Sequence, residues 1–150
     1  MASLDFPSNP TVGQEFAASG KTWVWNSVAW AIKRTFDVPS VYRIGSFFTA
    51  TPGETETLFM HVATDSFTLP ANLAGSQVNV GINPSANVEF SLNKNNTTIG
   101  SITVSNNGVA TLATNNNAPV RVAAGDLLTL VSPNNSLGIA ATAFTFRGDI

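Results

Sequence analysis

Cysteine is absent from this chain of 150 residues, and charged side chains are scarce. Without cysteine the chain can form no disulfide, no thiolate metal site and no cysteine nucleophile. Asp, Glu, Lys and Arg together make up 11% of the residues, which is well under half of the roughly 25% usual in globular domains. Asn, Thr and Ser supply the remaining polarity, and this mixture is typical of β-structure with neutral outer faces.

The charge balance does not favour binding to nucleic acid or to an anionic membrane. The formal net charge is −2, and the seven Lys and Arg residues are scattered along the sequence. Long apolar runs are also missing, so no segment reaches the length of about 20 residues that a membrane-spanning helix needs. Residues 1–7 have neither the basic nor the apolar region of a signal peptide. We therefore predict no nucleic-acid partner, no membrane partner and no secretion signal.

Side chains suited to catalysis or metal binding are few. His61 is the only histidine, and its position between Met60 and Val62 indicates a strand residue with a structural or surface role. Glu54 and Glu56 share one face and could form a weak cation site, although two like charges on an exposed loop are more often simply solvated. No nucleophile elbow, metalloprotease helix or phosphate-binding loop occurs. We predict a protein that is not an enzyme and has no cofactor and no metal.

Aromatic residues are concentrated near the start of the chain. Pro7 and Pro10 hold the entry segment extended, and Gly20 permits a tight turn into a strand. The predicted turn of the following hairpin is Asn26-Ser27, and because its second residue is not glycine we expect no positive φ there. Such a hairpin is too small to carry a conventional core, so it must dock on something else. Its three tryptophans lie within eight residues: Trp23, Trp25 and Trp30.

This pattern resembles a short module common in bacteriophage virion proteins. The module has the form F-P-x-x-P-x-x-G-x-x-(Y/F), followed by G-x-x-W-x-W-(D/N)-x-x-x-W, and it covers about the first fifth of the chain. The resemblance implies a docking module at residues 1–34, followed by a linker at 35–40. Clustered tryptophans more often have a packing role than a sugar-binding role. An alternative to docking is that these rings pack only on the β-domain of their own chain. The candidate docking residues are Phe6, Pro7, Pro10, Phe16, Trp23, Trp25 and Trp30.

From residue 41 onward, short β-rich runs recur between turns rich in Asn, Gly and Pro. Apolar and polar residues alternate over 78–82, which indicates a strand with one buried face. Between residues 99 and 102 this alternation slips at Gly100, which predicts a β-bulge. No window has the period and caps of a helix. We predict that residues 41–150 form an antiparallel β-sandwich of eight or nine strands, with jelly-roll-like topology and under a tenth of helix.

Three segments of this region look like a β-domain found at the C-termini of phage fibre and appendage proteins: residues 67–76, 90–95 and 124–130. The Gly125-Asp126 turn before an apolar strand also recurs in trimeric jelly-roll heads of the C1q and TNF type. Together the resemblances imply a homotrimeric protein of the virion surface, synthesised in the cytoplasm of a bacterial host. The low charge density favours the same conclusion, because neutral surfaces cost little to desolvate between identical copies.

Two functions follow from these patterns. The first is a non-enzymatic capsid decoration (cement) protein or short head fibre, which docks through residues 1–34 on a major capsid or appendage protein. The alternative is a receptor- or glycan-binding tail-fibre tip. No shaft separates the two regions, which favours the first function. For the alternative, Asn side chains could bind sugar hydroxyls, although Asn also suits turns. The Asn-rich loops lie at residues 93–97, 105–107, 115–117 and 134–136.

Overall fold

The computed structural model describes residues 5–33 and 41–150. The chain divides into two compact units, Met1–Val38 and Pro39–Ile150, and each is described by itself. The linker predicted at 35–40 lies outside the described residues.

The described elements are β-strands, apart from two single 3-10 turns at Ala71–Leu73 and Asn115–Asn117. The predicted all-β class and the scarcity of helix in the second unit are therefore confirmed.

The first unit is a three-stranded antiparallel sheet, whereas the sequence predicted a two-stranded hairpin. Strands β1 (Glu15–Ala18), β2 (Lys21–Trp25) and β3 (Trp30–Ile32) pair in chain order. Strand β1 was not predicted, because it is short and half of it is alanine, which has a low β-propensity. Its pairing with β2 is fixed by Ser19 and Gly20, whose φ angles of 52° and 72° give the two-residue turn that suits twisted hairpins.

The turn between β2 and β3 corrects one expectation. Ser27 has a φ of 81°, so the expectation of no positive φ there is wrong. Asn26 explains how the turn forms without glycine, because its Oδ1 accepts hydrogen bonds from the N–H groups of Val28 and Ala29 at 3.0 and 2.8 Å. This side chain fixes the backbone of the turn locally.

The second unit contains ten strands, one or two more than predicted. They form two antiparallel sheets: sheet I has the order β10-β9-β8-β12-β5, and sheet II has the order β11-β6-β13-β4, with β7 also paired to β13. In chain order the strands are β4 (Val41–Phe48), β5 (Thr57–Val62), β6 (Phe67–Leu69), β7 (Gln77–Ile82), β8 (Val88–Lys94), β9 (Thr97–Val104), β10 (Ala110–Thr114), β11 (Val120–Val122), β12 (Leu127–Val131) and β13 (Ala140–Asp149).

The two sheets enclose one apolar core. Alternate residues of β13 are buried, which places Phe144 and Phe146 between the sheets. The ring of Phe144 meets Phe90 of β8 edge to face at a centroid distance of 5.5 Å, and Phe146 lies 5.7 Å from Phe59 of β5. Rings from both sheets therefore interdigitate, which confirms the predicted antiparallel β-sandwich.

The predicted β-bulge is confirmed at Gly100. Leu92 of β8 pairs with Gly100 of β9, but the next residue, Asn93, pairs with Thr98. Ile99 is thus the extra residue of β9, and the bulge explains why the apolar alternation slips there.

The Gly125-Asp126 turn is stabilised by its carboxylate. Asp126 accepts hydrogen bonds from the N–H of Ala123 at 2.9 Å and from the Asn95 side-chain amide at 2.7 Å. These bonds, with the nearby Lys94 charge, lower the pKa of Asp126 although partial desolvation opposes them. Because the pKa is depressed on folding, this stabilisation is present above the unfolded pKa and is lost as the pH falls through the folded value.

We predict that Gly100→Ala destabilises the β-sandwich by about 1–3 kcal/mol, because overpacking a close contact forces the backbone to shift. A Cβ at Gly100 would lie 2.4 Å from the carbonyl oxygen of Ala113, whereas a Cβ at Gly45 would have its nearest neighbour, the carbonyl oxygen of Phe144, at 3.9 Å. Gly45→Ala is therefore the matched control. Urea unfolding followed by far-UV circular dichroism measures both, and equal midpoints for the two variants would contradict the bulge geometry.

Candidate docking surface

The predicted docking residues of the first unit converge on one face of its sheet. Cross-strand pairing sets Phe16 opposite Trp23, and Trp25 opposite Trp30, so these four rings lie on the same side. Phe6 packs against this face, with its ring centroid 5.3 Å from Phe16, 5.2 Å from Trp23 and 5.4 Å from Trp30. Five aromatic rings therefore form one cluster with Phe6 at its centre.

The cluster gives the unit more of a core than its sequence predicted. Phe6 stacks on Trp30 at an interplanar angle of 14° and meets Trp23 nearly at right angles, at 80°. Each such pair contributes about 0.5–1.5 kcal/mol beyond the burial of its area. All five rings nevertheless stay half-buried. The cluster therefore holds the unit together and still leaves aromatic surface accessible.

The proline-containing segment is tied to the end of β2. Pro7 and Pro10 are both half-buried. After them, the N–H of Gly13 donates to the carbonyl oxygen of Trp25 at 2.9 Å, and the N–H of Trp25 donates to that of Gln14 at 3.0 Å. Gly13 has a φ of 85°, so this position favours the glycine found in the motif. These bonds hold the segment that carries Phe6 beside the aromatic face.

The first unit also has exposed apolar side chains outside the aromatic cluster, and no sequence pattern marked them. Val12 is 72% exposed and Val28 is 82% exposed. Ile32 lies opposite Trp23 on the aromatic side. Glu15 forms an ion pair with Lys33. Its side chain lies on the opposite face of the sheet, because Glu15 is next to Phe16 in the strand and successive side chains alternate between the faces. The aromatic face is thus mainly apolar.

In the second unit, His61 has a structural partner. The hydroxyl of Tyr42 lies 2.8 Å from Nε2 of His61 and accepts a hydrogen bond from the N–H of Thr64 at 3.2 Å. Asp65 is joined to this group only through the Thr64 hydroxyl, at 3.1 Å. The Tyr42 ring stacks on Phe67 at 4.2 Å. These contacts connect β4 with β5 and the segment after it, which agrees with a structural role for His61.

Glu54 and Glu56 differ in their contacts. The carboxylate of Glu56 accepts a hydrogen bond from the N–H of Gly53 at 2.7 Å, so it stabilises a turn, while Glu54 is exposed. Within residues 5–33 and 41–150, no group of three or more metal-ligating side chains occurs. In the same ranges, no helix has the length and apolar character needed to cross a membrane.

The Asn-rich loops mainly provide turn geometry. Their positive φ angles suit Asn better than most side chains. Asn135 additionally accepts a hydrogen bond from the N–H of Leu137 at 3.0 Å. The turn role of Asn is therefore directly visible, whereas a shared sugar-binding surface is not required to explain these residues. Four of them have φ between 49° and 66°: Asn95, Asn96, Asn116 and Asn117.

Three arginines that are far apart in the sequence are carried by neighbouring strands of sheet II. Arg43 of β4 is the cross-strand partner of Arg147 of β13. Arg121 of β11 pairs with Thr68, which in turn pairs with Asp149. All three arginines therefore belong to the same part of sheet II. The sequence could not show this, because the strands that carry them are far apart along the chain.

We predict that Phe6→Ala destabilises the first unit by about 1–2 kcal/mol, part of the roughly 1.5–3 kcal/mol for full burial of such a side chain, because the half-buried Phe6 contacts three other rings. All three tryptophans belong to this unit, so the intrinsic tryptophan fluorescence reports its unfolding. Val28→Ala removes a largely exposed apolar side chain and is the control. If Phe6→Ala and Val28→Ala shift the urea midpoint of the fluorescence equally, Phe6 does not hold the cluster together.

Comparison of the chain with protein-family models and with curated proteins, and of its structure with solved structures, gives no match.

Proposed function

We propose that this protein is a non-enzymatic structural protein of a bacteriophage virion, a trimeric capsid decoration (cement) protein or short head fibre. It docks through its first unit on a major capsid or appendage protein, and its β-sandwich faces outward on the virion surface. The observation that carries this proposal is the half-buried aromatic cluster, because it is built from the residues of the phage module. Five rings contribute: Phe6, Phe16, Trp23, Trp25 and Trp30.

The remaining exposure of these rings supports docking on energetic grounds. Completing the burial of a large apolar side chain contributes up to about 1.5–3 kcal/mol, and ordering costs reduce the total. Val12 and Val28 lie outside the cluster and would add apolar area to such an interface. A partner with a complementary apolar groove would thus bind a unit that already has a defined shape, so less ordering would oppose association.

The strand order supports a jelly-roll-like topology for the second unit. The order β4-β13-β6-β11 in sheet II faces β5-β12-β8-β9 in sheet I, with β10 added at one edge and β7 beside β13. Strands from the start of the unit thus pair with strands from its end, for example β4 with β13 and β5 with β12. This pairing results when a long antiparallel hairpin rolls up into two sheets. The double-sheet jelly roll is the arrangement common in viral capsid domains.

One edge of the sandwich supports the trimer. Strands β4 and β5 are edge strands of the two sheets, and they are exposed on their outer faces: Phe47 by 74%, Met60 by 68% and Val62 by 58%. The cross-strand neighbours of Phe47 and Met60 are Ala143 and Thr129, which are uncharged. Identical copies could bury these three apolar side chains around a three-fold axis, with the exposed Arg43 of β4 at the solvated rim of the interface.

We predict that the wild-type protein has three times the chain mass of 15.7 kDa and that Met60→Asp dissociates it, because the new carboxylate would be desolvated in the interface. Val109 is 60% exposed in the second unit but belongs to neither β4 nor β5, so Val109→Asp is the control and should stay trimeric. Light scattering after size-exclusion chromatography measures the mass. A wild-type protein that is monomeric both in solution and on the particle would contradict the trimer.

We predict that Trp23→Ala combined with Trp25→Ala abolishes binding to the particle while the β-sandwich stays folded. Deletion of residues 1–34 should have the same effect, because both changes remove the aromatic face. Co-sedimentation with particles lacking the protein measures occupancy, and circular dichroism checks the β-sandwich. Undiminished occupancy of the truncated protein would place the docking role in the second unit.

A second function, binding of a host-surface glycan, is favoured by one observation on sheet II. Arg121 and Asp149 line an open pocket together with Ser66 and Thr68. Two charged groups and two hydroxyl side chains supply both donors and acceptors of hydrogen bonds, which is what the hydroxyl groups of a sugar require.

A further inference from the structure

We propose that this pocket on sheet II binds a sugar unit that carries an oxyanion, either a carboxylate or a phosphate. The proposal deepens the glycan-binding function and rests on it, but it does not depend on the docking of the first unit or on the trimer. The pocket has a volume of about 330 Å³, at the lower end of the roughly 300–1,000 Å³ of small-molecule sites. It therefore suits a single sugar ring. Its lining consists of Ser66, Phe67, Thr68, Arg121, Asp149 and Ile150.

The register of three strands places the two charged residues on either side of the pocket. Arg121 pairs with Thr68, and Thr68 pairs with Asp149. Phe67 and Leu69, on either side of Thr68, are buried, so Thr68 and its two partners point away from the core. Neighbouring strands are about 4.8 Å apart, which puts the Cα atoms of Arg121 and Asp149 about 10 Å apart. That separation leaves room for a ring between the two side chains.

Asp149 is held in position by a second arginine. Its Oδ1 accepts from Nη2 of Arg147 at 2.9 Å, while Oδ2 has no partner among the described residues. The side chain of Arg147 is itself fixed, because it lies so close to Gly75 that a Cβ there would approach its Cδ to 2.8 Å. Asp149 therefore presents one oxygen that can accept a hydrogen bond from a sugar hydroxyl.

Arg121 supplies the group that recognises the oxyanion. Its side chain forms no ion pair with any residue that the structure describes, so its guanidinium fork is available for two parallel hydrogen bonds to a carboxylate or phosphate. Arg43 and Arg147 face each other across β4 and β13. Because Arg147 is engaged with Asp149, Arg121 is the group of the pocket that attracts an anion.

The two sides of the pocket select against simpler ligands. A neutral sugar cannot form the charge-assisted bonds to Arg121. A small anion such as acetate can meet Arg121, but it has no hydroxyl groups to donate to Asp149. The Asp149 carboxylate repels every anion, and only the hydroxyl groups of a sugar offset this repulsion. Only a ligand that has both an oxyanion and hydroxyl groups satisfies the whole site.

The test is a nuclear magnetic resonance titration of the ¹⁵N-labelled full-length protein at constant ionic strength. The probes are glucuronic acid, glucose 6-phosphate, glucose and sodium acetate. We expect saturable shifts at residues 66–68, 121 and 147–149 with at least one of the two charged sugars, and binding of glucose and acetate at least about tenfold weaker. The tighter of the two charged sugars identifies the oxyanion. Equal binding of acetate and the charged sugars, or shifts outside these residues, would overturn the proposal.

Two substitutions separate this site from general charge effects. Arg121→Gln should weaken binding of the charged sugar by about tenfold or more, whereas Lys21→Gln, which removes the same charge from the first unit, should not change it. Asp149→Asn should reduce the preference for the charged sugar over acetate, because only the sugar loses hydrogen bonds from its hydroxyl groups to the carboxylate, whereas both anions lose the repulsion. An Arg121→Gln variant that binds the charged sugar as tightly as Lys21→Gln does would overturn the assignment. An Asp149→Asn variant whose preference for the charged sugar over acetate is unchanged would also overturn it. Since all variants are tested in solution, failure of this site leaves docking and trimer formation unaffected.

Discussion

Aromatic packing between the two sheets is the interaction on which the second unit depends. Phe144 and Phe146 lie on β13, and their partners Phe90 and Phe59 belong to strands of the other sheet. The same strand also pairs with β4, β6 and β7 through its backbone. Strand β13 thus contributes both to the packing of the core and to the backbone pairing of sheet II. The resulting contacts are long-range, so we expect folding to be slow relative to helical proteins of this size.

The strands of the second unit were largely predictable from local patterns. The runs 57–62, 67–69, 120–122 and 127–131 form strands in the structure, and in the sequence they are β-rich runs between turn-forming residues. The bulge at Gly100 was predictable for the same kind of reason, since a change of phase in the apolar alternation is visible in the sequence.

Features that depend on pairing between distant strands were not predictable. Strand β1 is too short and too rich in alanine to be recognised alone, and its partner β2 stabilises it. The convergence of Arg43, Arg121 and Arg147 follows from the registers of sheet II, which a single sequence does not specify. In the candidate docking surface the motif identified the aromatic residues, but the central position of Phe6 follows only from the fold. The exposed Val12 and Val28 had no pattern to mark them.

The two units differ in the side chains that they present. The first presents a tryptophan-rich face, and the second has a continuous core with exposed apolar side chains, Phe47 and Met60, on its edge strands. We propose that attachment to the virion occurs through the first unit. Electron cryomicroscopy of the virion with and without the protein would show which unit makes the attachment. We expect trimeric density on the surface, with the aromatic cluster of the first unit against the particle and the β-sandwich outward. Density in which the β-sandwich makes the attachment while the first unit points away from the particle would contradict it.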